Sequence, residues 1–96
     1  MLKIINEIVD YIDERAVKAD YTINGKTYPA KIRRSLVKGN TLRKHIYLTH
    51  KDPTGTVTRA RLLDEDGGVV AERNDSQEHE ENKGLLLEFK ITIQEV

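Results

Sequence analysis

The sequence predicts an α+β fold, with an N-terminal amphipathic helix followed by a mostly antiparallel β-sheet or small β-sandwich of five to six strands. Three observations carry this reading. Apolar residues recur at spacings of three and four near the N-terminus. The pair Asn24-Gly25 divides two strand-like runs. From Leu85 to Ile93 the apolar residues Leu85, Leu87, Phe89, Ile91 and Ile93 recur at every second position.

The helix is expected over residues 2–17. Leu2, Ile5, Ile8, Val9, Ile12 and Ala16 fall on one stripe. Glu7 and Asp10 come early and Arg15 and Lys18 late, an order that suits the helix dipole. An apolar stripe of this kind is buried, either against the sheet that follows or in a partner's groove.

The β-rich part is expected over 19–95. Asn-Gly favours a two-residue type I′ turn, because both central residues need positive φ. Such a turn pairs Ile23 with Lys26, Tyr21 with Tyr28 and Ala19 with Ala30, which puts the apolar members on one face. Pro29 lacks an N–H, so its strand belongs at an edge or a bulge. Strand character continues through Ser35-Leu36-Val37, and Lys38-Gly39-Asn40 reads as a turn. Leu42 to Thr49 is a strand with Leu42, Ile46 and Leu48 on one face and His45 and Tyr47 on the other. Thr56 to Leu63 and Val69 to Glu72 form a hairpin around Asp64-Glu65-Asp66-Gly67-Gly68. Residues 73–83, polar throughout, read as a loop. The last strand turns Leu85, Leu87, Phe89, Ile91 and Ile93 inward.

A length of 96 residues gives one domain, 1–96. With no Trp and one Phe, its core must be mostly aliphatic. The absence of Cys removes disulfides, thiolate nucleophiles and Cys-containing zinc sites. Apolar runs of about three residues fall far short of the roughly 20 needed to span a bilayer. The first residues carry acids where a signal peptide needs an apolar stretch. The expectation is a cytoplasmic protein without a membrane partner.

The charges are sorted along the chain. Tyr21 to Lys51 holds eight Lys or Arg residues and no acid, while Asp64 to Glu81 holds eight acids and one base. The totals cancel at 16 against 16. The two stretches either face each other in the fold, stay in water, or make a docking surface. The candidate surface comprises Lys31, Arg33, Arg34, Lys38, Arg43 and Lys44, with Glu78, Glu80 and Glu81 as its acidic complement.

No constellation for catalysis stands out. His45 and His50 sit on opposite faces of a strand, and His79 lies in the polar loop, so all three are expected at or near the surface. Asp64 to Gly68 stops after three acids and lacks the later ligands of an EF-hand, so it reads as a hairpin turn. Neither a phosphate-binding glycine motif nor a serine nucleophile motif occurs. No enzyme, cofactor or metal is expected. The basic stretch 26–51, interleaved with Tyr28, His45 and Tyr47, is the candidate for nucleic-acid contact.

The run from Gly55 to Asp64, the segment Asp66-Gly67-Gly68-Val69-Val70-Ala71-Glu72 and the strand from Gly84 to Ile93 together resemble the C-terminal part of small tail-region proteins of phages and prophages of Gram-positive bacteria. Those are baseplate or tail accessory chains with a helical N-terminus followed by strands. The resemblance implies a structural or accessory role, in the host cell or the virion. It implies partners among other phage structural proteins or further copies of the chain. It carries no binding residue over.

Overall fold

The computed structural model describes residues 2–95. A helix, α1 (Lys3–Arg15), precedes eight strands: β1 (Lys18–Ile23), β2 (Lys26–Ala30), β3 (Ile32–Lys38), β4 (Thr41–Leu48), β5 (Gly55–Leu63), β6 (Val69–Arg73), β7 (Gln77–His79) and β8 (Leu85–Thr92). The first sheet has the order β2-β1-β5-β6, and β7 shares the β6 edge of β5. The second sheet has the order β3-β4-β8. All the pairings are antiparallel. The α+β class is as the sequence predicts.

Among the described residues the strands number eight rather than five or six for two reasons. The chain turns at Lys31, so β2 and β3 belong to different sheets. The polar segment 73–83, expected to be a loop, contains β7, which pairs Gln77 to His79 with Val57 to Gly55.

The first hairpin follows its sequence closely. Asn24 and Gly25 take φ of 52° and 79°, which glycine and asparagine tolerate best. The register pairs Ile23 with Lys26, Tyr21 with Tyr28 and Ala19 with Ala30. The rings of Tyr21 and Tyr28 stack with centroids 5.6 Å apart. Pro29 sits on the edge strand β2, where its missing N–H interrupts no ladder on the outer side. Inward residues of the two sheets then meet. Ala19, Tyr21, Ile23, Val57 and Leu62 from the first close on Ile46, Leu48, Leu87 and Phe89 from the second.

Helix α1 packs on β3 and β4. Its buried stripe is narrower than the sequence suggests. Ile5 and Val9 are buried, whereas Leu2 and Ile8 are 49% and 39% exposed. Ile8 lies about 60° round the helix from Ile5 at 100° per residue, which takes it to the margin of the contact. The helix ends at Ala16, whose N–H bonds the carbonyl of Ile12, and the Val17 N–H bonds Leu63 to enter the first sheet. Among the described residues, no helix is long and apolar enough to cross a membrane.

Among the described residues, the polar side chains of Asp20, Lys44 and His79 are buried, each with polar neighbours. Asp20 receives two hydrogen bonds from Arg61, at 2.9 and 2.5 Å. Lys44 Nζ reaches the carbonyl oxygen of Asp13 at 2.9 Å and its carboxylate at 2.7 Å. The His79 ring nitrogens lie 2.6 and 2.8 Å from the carbonyl oxygens of Pro53 and Lys83. His79, expected near the surface, is 1% exposed and ties two loops together. Both neighbours are carbonyl acceptors, so burial is offset by a ring N–H donated to the backbone.

Candidate interaction surface

Alternation along β4 determines what the second sheet shows to solvent. Leu42, Lys44, Ile46 and Leu48 turn inward and are buried. Arg43, His45 and Tyr47 take the outer face. The registers complete that face in rows across β3, β4 and β8: Lys38, Thr41 and Thr92; Leu36, Arg43 and Lys90; Arg34, His45 and Glu88. Tyr47 and Leu86 form the end row.

This face has one sign. Arg34, Lys38, Arg43 and Lys90 share it with one acid, Glu88. Glu88 accepts a bond from Arg43 Nη1 at 2.6 Å and lies 2.8 Å from His45 Nε2. The contact with His45, followed by the charge of Arg43, holds its carboxyl below the ordinary range against the opposing effect of burial. Among the described residues, Arg34, Lys38 and Lys90 stand in no ion pair. Exposed Leu36 lies between Arg34 and Lys38 along β3, and exposed Tyr47 and Leu86 close the end of the face.

Of the residues singled out from the sequence, Arg34, Lys38 and Arg43 come together on the outer face. Lys31 is exposed at the corner between β2 and β3, and Arg33 sits at a bulge in the β3–β4 ladder. Lys44 does not belong to the surface. At 4% exposure it points inward, held by Asp13. Glu78, Glu80 and Glu81 are exposed but lie on and after β7, an element of the first sheet. Glu78 accepts the Thr56 hydroxyl at 2.7 Å, and Glu80 pairs with Lys83 at 2.9 Å. Sequence reasoning missed Lys90. The alternation of the last strand puts Lys90 outward with Leu86 and Glu88, but no sequence signal shows that β8 lies beside β4.

The basic and acidic stretches do not neutralise each other. Among the described residues, the bases of 26–51 that form ion pairs are Arg43, with Glu88, and Lys44, with Asp13. Neither acid lies in the stretch 64–81. That stretch instead uses Arg15 for Asp64, Arg73 for Asp75 and Lys83 for Glu80. Asp64 itself closes the β5–β6 turn. Its carboxylate accepts the N–H of Gly68 at 2.7 Å and of Asp66 at 2.9 Å, which keeps its carboxyl below the usual range.

Comparisons with protein-family models, curated proteins and solved structures find no match.

Proposed function

We propose that the protein is a non-enzymatic structural or accessory part of a phage or prophage tail, acting through protein–protein contact in the host cytoplasm or the virion. The resemblance of its last forty or so residues suggests the setting. One observation supports the mode of action. The outer face of the second sheet presents Arg34, Lys38 and Lys90 without acidic partners among the described residues, together with exposed Leu36 and Leu86. A cationic face with exposed apolar side chains on its edge strands suits an acidic protein surface. Glu78 and Glu81 of a neighbouring copy, on a different part of the molecule, would supply one. Such a contact is heterologous and builds a ring or a stack.

Sedimentation velocity at low and high salt tests this. Self-association should weaken as salt rises, because exposed charges are screened beyond about 8 Å at physiological ionic strength. Arg34→Glu with Lys38→Glu should abolish it and leave a folded monomer. Adding Glu78→Lys and Glu81→Lys in the partner copy should restore part of it. A protein that stays monomeric at every salt and concentration refutes self-assembly through this face.

A further inference from the structure

The edge beside Tyr47 carries a second site. Strand β3 begins at Ile32, opposite Ile46, so Tyr47 and Leu48 have ladder partners only on the β8 side. An open depression of about 350 Å³ forms where β3 is missing, with Lys31 and Arg33 in its wall. On the other side of Tyr47 a second depression, of about 390 Å³, is walled by His50, Lys51 and Lys83. The two meet at Tyr47 and Thr49. The result is a saddle with an aromatic ring at its crest and cations on both flanks.

The ring is placed by a glycine. A Cβ at Gly84 would lie 1.9 Å from the Tyr47 hydroxyl oxygen, so only a residue without a side chain lets the phenol lie across the 80–84 loop. The ring stays 44% exposed. The one acid in either wall, Asp52, accepts the Thr49 N–H at 2.6 Å and the Thr49 hydroxyl at 3.2 Å, which engages it in its own turn. Burial, followed by the charge of Asp52, pushes the neighbouring Tyr21 hydroxyl up to about 12. Lys83 pairs with Glu80, but both side chains are largely exposed, and such a pair yields readily to a stronger anion.

We propose that this saddle binds single-stranded nucleic acid, with one base stacked on Tyr47 and the phosphates on its two sides held by Lys31 and Arg33 in one depression and by Lys51 and Lys83 in the other. A single strand is the ligand that places a flat ring between two negative charges. A carboxylate side chain of a protein partner fills one depression and leaves the ring uncovered. Stacking on one tyrosine tolerates any base, so binding is expected to show little sequence preference. This activity is additional to the docking face, which uses Arg34, Lys38 and Lys90.

Fluorescence anisotropy of a labelled oligothymidylate, titrated with the full chain from low salt upward, tests the site. Three or four phosphate contacts, at about 0.7 each, give a log–log salt slope of about −2 to −3. Lys31→Ala with Arg33→Ala, and separately Lys51→Ala with Lys83→Ala, should each flatten the slope by about 1.4. Tyr47→Ala should weaken binding about tenfold, and Tyr47→Phe should retain it. Gly84→Ala should weaken it without removing a charge. Arg34→Glu with Lys38→Glu, which breaks the docking face, should leave the slope unchanged, so the two proposals fail separately. Thermal melts report whether each variant is folded, and the two charge-removing double variants carry the test if Tyr47→Ala unfolds. No oligonucleotide binding at about 50 mM salt overturns the proposal. So does equal competition by polyglutamate of matched charge, which would mark the saddle as a site for acidic protein.

Discussion

The two sheets treat their outward charges in opposite ways. On the first, Asp20 faces Arg61 directly across the β1–β5 ladder, and Glu72 faces Arg61 from the other side. Thr22 bonds Thr27 at 2.9 Å, and Arg59 donates to Thr27 at 3.3 Å. Asp20 there is met by Arg61 of the same sheet, while Arg59 reaches only a hydroxyl. On the second, four Lys or Arg side chains share one carboxylate. A net charge of zero for the whole chain therefore conceals one sheet whose buried acid is paired across its central strands and one whose cations are open to a partner.

The largest effect should come from breaking the buried pair of the first sheet. Asp20 is 7% exposed and depends on the fork of Arg61. Arg61→Ala leaves that carboxylate without its cation, which should cost about 3 kcal/mol, the lower end of the range for a broken buried pair because Arg61 is partly exposed. Urea denaturation reads the loss. Replacing both residues with apolar ones, Asp20→Leu with Arg61→Met, should recover most of it. If Arg61→Ala melts like the wild type, the first sheet depends on its paired charge no more than the second.

Next comes the inward cation of the second sheet. Lys44→Ala removes both contacts to Asp13 and should loosen α1, at a cost of about 1–3 kcal/mol. Hydrogen exchange should show the loss first in the amides of α1. A uniform loss over both sheets would show instead that Lys44 supports the sandwich as a whole.

That lysine also marks the limit of what the sequence could show. Features set by near neighbours were legible: the Asn24-Gly25 register, the edge position of Pro29, the Asp64 turn and the alternation of β8. Each depends on residues within one hairpin or one strand. Lys44 was not legible, because a lysine reads as solvent-facing and its partner lies 31 residues away. β7 was hidden in a polar run, since its pairing depends on the uncovered edge of Gly55 to Val57 and its one buried ring reaches back to the carbonyl of Pro53, 26 residues away. The candidate surface was half legible. Arg34, Lys38 and Arg43 follow from the β3–β4 hairpin, but Lys90 and Glu88 join them only through a pairing that spans some forty residues.

A smaller effect concerns pH. Glu88 has a folded-state carboxyl depressed by His45 and Arg43, so it contributes stability above the ordinary carboxylate range. That contribution is lost as pH falls through its lowered value. Glu88→Gln removes it. The variant's stability should therefore change less with pH below about 4.3 than that of the wild type. Denaturant midpoints measured every half unit from neutral to acid would show the difference. An unchanged acid limb would mean that Glu88 interacts with Arg43 and His45 no more strongly folded than unfolded.

The smallest effect on stability is expected where the proposed effect on assembly is largest. Arg34→Glu with Lys38→Glu reverses two charges on the open face. No ion pair is broken among the described residues, since neither side chain has one. Arg34 gains a carboxylate across the strand from His45, and Lys38 lies opposite Thr41. Repulsion from Arg43 and Lys90 is relieved at the same time, so the melting free energy should move by no more than about 0.5 kcal/mol. The matching reversal on the first sheet, Arg61→Glu, sets two carboxylates against each other beside buried Asp20 and should unfold the chain. The pair of variants separates charge that holds the fold from charge that is free to hold something else. If both variants unfold, the basic face is structural, and the docking proposal loses its main support.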